Sequence, residues 1–395
     1  MKKVFLLLTL VFSFSLVADA GVLNRPGNAA TVRDLGTAGG LTVADPEGAS
    51  AIFLNPAALT KIKAWAWDLG LVGLTTDFSY DRDSALGGGS FDARDEFFLM
   101  PYGAVAYRWE SLVFAIGLDA PYGMAGDYGN SLGFDAFMSF SDLSVGAAWE
   151  VNEYLSLGAS FKAVRGDVDL RMPLMDPSGT TFLGLTTTEA NGFGYGFQLG
   201  ALFEYEPFAF GITYSPSIKV KIDGETIFPA GVGIASDDMS ANIYQPERFG
   251  VGISWQALEE LKVGLSYFRT DYGDNDKVDI HYDNIPVNTL HLGWSVVDSV
   301  HLGLEYKPSD VWTLRTGAGW MSSGTPDYSP PSLPDGDGWY VSGGVGCRVA
   351  RNTYLDAGVG YYFADRSVPV NAFNIGAGDI DLGGFLFGIS VRQEF

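Results

Sequence analysis

The feature that most constrains this chain is a two-residue rhythm running from Trp65 to the C-terminus. In the last stretch Phe385, Phe387, Ile389, Val391 and Phe395 share one parity, and Leu386, Gly388, Ser390, Arg392 and Glu394 share the other. Trp339, Val341, Val345, Cys347 and Val349 alternate in the same way with Tyr340, Ser342, Gly344, Gly346 and Arg348. Leu355, Ala357, Val359, Tyr361 and Phe363 alternate with Tyr354, Asp356, Gly358, Gly360 and Tyr362. Successive side chains of a strand point to opposite faces, so each segment has one apolar face and one small or polar face.

A soluble sandwich has the same rhythm, so the connections must decide. Tight turns near Glu110, Asn152, Glu206-Pro207, Glu259-Glu260, Pro308-Ser309-Asp310 and Arg351-Asn352 alternate with long connections. The long ones cover residues 81–95, 120–137, 167–189, 223–244, 271–286, 322–337 and 364–382. Short turns on one rim and long loops on the other are the arrangement of outer-membrane barrels. Trp109, Trp149, Trp255, Trp312, Trp320, Trp339 and Tyr361-Tyr362-Phe363 gather near segment ends, as interfacial girdles do. The predicted fold is all-β: a transmembrane antiparallel β-barrel of about 14 strands over residues 65–395, with both termini on the periplasmic side. Closure satisfies every backbone hydrogen bond in lipid and leaves no edge.

Composition agrees and excludes other classes. The chain has 51 glycines and 14% aromatic residues, with only 18% charged, yet no internal run is apolar enough to cross a bilayer as a helix. The net charge of −23 argues against a nucleic-acid partner, and the acidic residues concentrate in the predicted loops. Residues 1–20 read as a secretory signal: Lys2-Lys3, an apolar run over residues 4–17, and Ala18-Asp19-Ala20 before an expected cleavage at Gly21. Cys347, the single cysteine, allows no intramolecular disulfide framework and lies mid-strand on an apolar face.

Residues 21–64 break the rhythm. They run through Gly36-Thr37-Ala38-Gly39-Gly40 to Asn55-Pro56-Ala57-Ala58-Leu59 and are neither a clean helix nor a clean strand. Short helical turns are expected over 49–54 and 56–61, with Asn55 as cap and Pro56 in the first turn. A barrel this wide is not filled by its own side chains. These residues are therefore expected to plug it from inside as a hatch, with Asn55, Pro56 and Ala57 as gate candidates; an ordinary N-terminal arm is the plainer alternative.

Parity turns Lys162, Arg248, Lys262, Glu305, Lys307, Arg315, Arg348, Arg392 and His301 inward. Such charges pair with each other and with a plug, or meet an anionic headgroup through charge-assisted hydrogen bonds. Arg165, Lys262, Lys307, Arg315 and Arg348 are the headgroup candidates. Strict parity puts Arg165 on the lipid side, and only a bulge or a loop start would turn it inward. Two connections are unusually apolar: one with Leu174, Met175, Phe182 and Leu183 (and Met172 nearby), the other with Ile227 and Phe228. They are expected to form an outer apolar groove or to pack together over the mouth. Pro121 and Gly123 weaken strand pairing, which marks either a loop start or a kink in the wall. His281, His291 and His301 have no metal-ligand spacing, and no nucleophile triad or phosphate cradle is present. No catalytic residue, metal or cofactor is expected.

Over nearly the whole mature chain the sequence resembles the FadL family of outer-membrane transporters for hydrophobic compounds. The resemblance is carried by Gly36-Thr37-Ala38, Asn55-Pro56-Ala57, Pro121-Tyr122-Gly123 and Gly211-Ile212-Thr213-Tyr214-Ser215-Pro216-Ser217-Ile218-Lys219. Gln245-Pro246-Glu247-Arg248, Leu314-Arg315-Thr316-Gly317, Leu333-Pro334-Asp335 and the terminal Phe395 complete it. It implies passive uptake of long-chain fatty acids or aromatic hydrocarbons. The route implied is capture by an outer groove, a lumen pocket, hatch rearrangement and lateral exit at a kink in the third strand, here the one beginning at Ser111. The implied partners are the hydrophobic ligand, outer-membrane lipid and lipopolysaccharide, and the barrel assembly machinery reading Phe395. A monomer is the default, because a closed barrel buries its own edges. A plugged structural or surface-binding barrel and an outer-membrane hydrolase remain the readings from other classes.

Overall fold

The computed structural model describes residues 30–94, 97–128, 135–175, 182–233, 235–326, 329, 335–370 and 377–395, with only the backbone of Pro173 and Met175. Its strand segments are β1 (Trp65–Thr75), β2 (Asp77–Arg82), β3 (Ser90–Asp92), β4 (Phe97–Trp109), β5 (Leu112–Asp127), β6 (Asp135–Glu150) and β7 (Leu155–Met175). There follow β8 (Phe182–Tyr205), β9 (Phe208–Ser215), β10 (Ile218–Ile227), β11 (Ser236–Gln245), β12 (Glu247–Leu258) and β13 (Leu261–Asp271). The last are β14 (Lys277–Tyr282), β15 (Asn288–His291), β16 (Val296–Tyr306), β17 (Trp312–Met321), β18 (Asp337–Ala350), β19 (Thr353–Val368) and β20 (Gly378–Glu394). The segments β1 and β2, β3 and β4, β9 and β10, β11 and β12, β13 and β14, and β15 and β16 are each one stave with a break. The result is a closed antiparallel barrel of 14 staves.

Closure is direct. The first strand runs along the last, from Ala66 opposite Glu394 to Leu74 opposite Leu386. Phe395 seals the seam: its N–H donates to the Trp65 carbonyl at 2.9 Å and its ring stacks on Trp65 at 4.1 Å. Burial is inverted relative to a soluble core. On β7 the outward Phe161 is 53% exposed, while the adjacent inward Lys162 is 6% exposed. The bilayer solvates the outward face. Trp65, Trp109, Trp149, Trp255 and Trp312 ring the short-turn rim, and Phe97, Trp339 and Phe363 ring the other.

Several staves run on through stretches expected to be loops. β7 and β8 reach Met175 and Phe182, and β10 and β11 reach Ile227 and Ser236. The two-residue rhythm persists there, but the outward positions become Asp167, Asp169, Glu189, Asp223 and Glu225. Above the bilayer the outward face meets water, so charge replaces the apolar parity and hides the strand from a hydropathy reading.

Residues 30–64 pack inside the barrel. Thr31 caps a short helix, α1 (Val32–Gly36), and α2 (Ala51–Leu54) leads to a 3₁₀ turn at Pro56–Lys61 capped by Asn55. The small inward parity of the staves is their seat. Gly303 faces Thr37, Gly211 faces Val43, Gly158 faces Pro56 and Gly358 faces Leu35. A Cβ on Gly303 would stand 2.6 Å from the Thr37 carbonyl oxygen, so any larger residue would push the inserted chain off the wall.

Candidate functional site

The lower lumen is an ion-paired clamp between the inserted segment and the wall. Arg33 reaches Glu305 of β16 at 3.0 Å and the Asp45 carboxylate at 2.9 Å, and it also donates to the Asp45 carbonyl. Lys61 and Lys262 approach the same carboxylate at 2.8 and 2.6 Å. Arg315 of β17 joins Glu305 at 2.8 Å to Asp356 of β19 at 2.6 Å, and Arg392 of β20 holds Glu47 at 2.7 Å. Burial pushes the Asp45 and Glu47 carboxyls up. The cations around them (Lys61, Arg33 and Lys262 at Asp45; Arg33 and Arg392 at Glu47) outweigh it and hold both below the usual range. Asn55 is fully buried. Its amide donates to the Val43 carbonyl at 2.8 Å and to Ala201 of β8 at 3.1 Å, while its oxygen accepts from the Ala57 N–H at 3.1 Å.

Two cavities lie above this clamp. The lower one, about 640 Å³ including its open mouth, is bordered by Phe53 and Leu54 of the inserted segment and by Tyr122, Lys162, Arg248 and Phe268 of the wall. Lys162 is paired with Asp142 at 3.0 Å, and the Arg248 guanidinium sits 4.1 Å over the Phe268 ring. The upper one, about 680 Å³ including its mouth, presents only apolar surface. Met124, Met138, Met172 and Met239 line it with Ile222 and Trp294, and Ile280 and Leu290 of β14 and β15 close over it. Unbranched, polarizable Met side chains suit a site that must accept varied apolar shapes.

The wall opens beside the lower cavity. The ladder between β4 and β5 ends at Gly103 opposite Leu118. Above that pair β4 is bonded to β1 and β5 to β6. β5 does not end at Ala120, where a loop was one expectation. It continues through Pro121 and Gly123 with an extra residue, Asp119 facing Asp142 and then Tyr122 facing Phe140. Pro121 has no N–H to donate, so a bulge is where it fits. Arg94 closes the slot from above, its N–H on the Asp127 carbonyl at 2.9 Å and its side chain on the Asp127 carboxylate at 3.0 Å.

None of the five headgroup candidates lines either cavity. Lys262 and Arg315 belong to the clamp. Lys307, 3.4 Å from Glu305, and Arg348, 3.9 Å from Asp310, sit at the short-turn rim. Arg165 stays outside. Its ladders to β6 and β8 run through this region without a bulge, and its guanidinium pairs with Asp167 at 2.7 Å. Of the cations that do line the lower cavity, Lys162 shares the inward parity but carries no further sequence mark, and Arg248 ends the Gln245-Pro246-Glu247-Arg248 stretch, to which the sequence attaches no ligand role. Of the outer-groove candidates, Phe182, Leu183 and Ile227 are exposed at the hairpin ends, and Leu174 is half-buried. Phe228 packs 6.0 Å from Tyr282, and the Met175 side chain lies outside the described residues. The cleft is built instead from inward residues below them. Residues 1–29, 333 and 334 also lie outside the described residues.

A family model described as outer membrane protein transport protein (OMPP1/FadL/TodX) matches residues 15–395. The chain belongs to this family. It is thus an outer-membrane β-barrel among transporters of hydrophobic compounds. The long-chain fatty acid transport protein of Salmonella typhi is 22% identical over 289 residues, covering 63% of this chain and 66% of the relative. That of Escherichia coli K12 is 22% identical over 300 residues, covering 63% and 67%. The chain therefore matches about two thirds of the length of these relatives. Among solved structures, a Pseudomonas aeruginosa FadL homologue has a TM-score of 0.81 at 19% identity, covering 95% of this chain and all 100% of its own. The Pseudomonas putida toluene transporter TodX has a TM-score of 0.74 at 17% identity, covering 95% and 100%. At these identities the likeness establishes the FadL-type fold.

Proposed function

We propose that this barrel takes up long-chain fatty acids by diffusion across the outer membrane. The lower cavity carries the reading: Phe53, Leu54 and Tyr122 give it apolar lining, and Arg248 and the Asp142-paired Lys162 give it cationic groups, with Asp119 also on its border. That combination suits a carboxylate with an alkyl tail. Ligand enters the methionine-lined cleft, drops to the lower cavity and leaves sideways through the slot at Pro121 and Gly123 once the hatch, residues 21–64, shifts about Asn55. Keeping the tail out of water saves about 0.8 kcal/mol per CH₂, which is the physical reason for a lateral exit. A second reading, uptake of aromatic hydrocarbons by the same route, is favoured by the wholly apolar upper cleft.

The partners follow from the surface. Arg165 and Lys221 flank Phe193 across three outward strands, at a height that suits lipopolysaccharide phosphates. Phe395 on the closing strand is the feature that barrel assembly machinery would read, residues 1–20 serve as the export signal, and closure favours a monomer.

The test is uptake of labelled oleate and of toluene by cells lacking their own transporter. Wild-type chain should raise oleate uptake, and Asn55→Ala should lower it. Arg248→Met should lower oleate uptake and spare toluene. A rise for toluene alone in properly inserted protein would replace the acid by the hydrocarbon. No rise for either would leave a plugged structural barrel.

A further inference from the structure

Among the described residues the two cavities share no lining residue, and two unlike groups of side chains bridge their linings. One is close-packed: Val220, Ile243 and Phe140 converge over Gly166, where an added Cβ would stand 3.1 Å from the first two and 3.4 Å from the third. The other is aromatic. Tyr122 borders the lower cavity and Trp294 the upper. Between them stands Tyr272, 2% exposed and lining neither. Its ring meets Tyr122 edge-on at 6.4 Å and Trp294 edge-on at 6.1 Å, both with an interplanar angle of 89°.

We propose that Tyr272 is the specificity-determining gate between the two cavities. Its mount is fixed. The Tyr272 N–H donates to the Ser295 carbonyl at 3.2 Å, and its own carbonyl accepts from the Asn275 N–H at 2.8 Å. The Asn275 side chain in turn accepts from the Tyr244 N–H at 2.9 Å and donates to the Tyr244 carbonyl at 2.7 Å. The backbone is therefore held on both sides, so opening the gap requires turning the ring about its side-chain torsions. Edge-on ring contacts are orientation-dependent, so turning Tyr272 breaks both at once. An alkyl chain or a single aromatic ring sliding into the gap replaces the lost contacts. A branched or polycyclic ligand also needs the group over Gly166 to move, and that group is close-packed. The gate thus selects by cross-section. This inference takes its biological meaning from the uptake reading above, but its test needs no transported substrate.

The test is cysteine labelling from outside intact cells, in a Cys347→Ala background that removes the single native thiol. Met138→Cys reports the upper cavity and Ser215→Cys the lower. The probe is N-phenylmaleimide, whose single aromatic ring is of the size the gap admits. Met138→Cys should react quickly and Ser215→Cys slowly. Adding Tyr272→Ala should speed Ser215→Cys about tenfold, the combined worth of two edge contacts, and leave Met138→Cys unchanged. Should Tyr272→Ala lack the heat-modifiable mobility of a folded barrel, Tyr272→Leu serves in its place with the same expectation. Equal labelling of the two cavities with Tyr272 intact would overturn the gate, and so would a Ser215→Cys rate indifferent to Tyr272. Cells that take up neither oleate nor toluene, yet show the Tyr272-dependent labelling, would keep the gate and remove the transport reading.

Discussion

Around α1 and Asp45 the lumen is filled by backbone and ion pairs; above Phe53 the same inward parity lines open apolar space. The lower half seats the inserted segment on glycines and locks it with Arg33, Glu305 and Arg315. The upper half holds methionines and aromatics around two cavities. Inward charges are paired in both halves: Arg33 with Glu305 in the filled one, and beside the lower cavity Lys162 with Asp142, while the Arg248 guanidinium stacks on Phe268. What differs is the space beside them. Filled and open lumen are divided along the barrel axis.

The comparison breaks most sharply at Glu305. Glu305→Leu leaves Arg33 and Arg315 without their shared carboxylate, and breaking a buried pair costs about 3–5 kcal/mol. The heat-induced gel shift should move to markedly lower temperature; an unchanged midpoint would mean that the clamp does not hold the inserted segment. Next comes the seat. Gly303→Ala should cost about 1–3 kcal/mol by overpacking, because its Cβ meets the Thr37 carbonyl at 2.6 Å. Gly343→Ala, whose Cβ would find ordinary contact at 3.6 Å, should be neutral in the same assay.

In the upper half the readout changes from stability to capture. Met172→Ser gives up about 1.5 kcal/mol of apolar burial for a bound ligand, so apparent affinity should fall about tenfold. Its melting should stay near wild type, and a large stability loss would erase the distinction between the halves. The smallest effect expected is that of mild acid. Asp45 and Glu47 are held below their unfolded values. A carboxyl of that kind adds stability above its unfolded pKa and loses it as pH falls through the folded one. Melting should therefore be flat from neutral pH to about 5 and fall only below about 4.

Much of the barrel was legible from a few segments. The parity of Phe385, Phe387 and Ile389 divides outward from inward, and the turns near Glu110, Asn152 and Glu206-Pro207 set the rim. Arg165 was also legible as an outward residue, and the unbroken ladder of β7 keeps it there. The upper strands were not legible, because above the bilayer the parity inverts: charge at Asp167 and Asp223 takes the outward positions while apolar Val168 and Ile222 face inward. Pro121 announced weak pairing, yet which neighbour would let go was not written in it; the bulge keeps β6 and releases β4.

The sequence by itself determined the closed barrel and its girdles, and left the N-terminal segment as either a plug or an arm. A two-residue period admits one division of side chains between lipid and lumen, and the lumen of so wide a barrel needs filling. The tertiary structure decided which inward charges are already paired and where open space remains in the lumen. Arg33 meets Glu305 across 272 positions of chain. Tyr272, Tyr122 and Trp294 come together from separate staves. Local spacing carries no record of such encounters, because they depend on how far each stave rises and on what the inserted segment leaves empty.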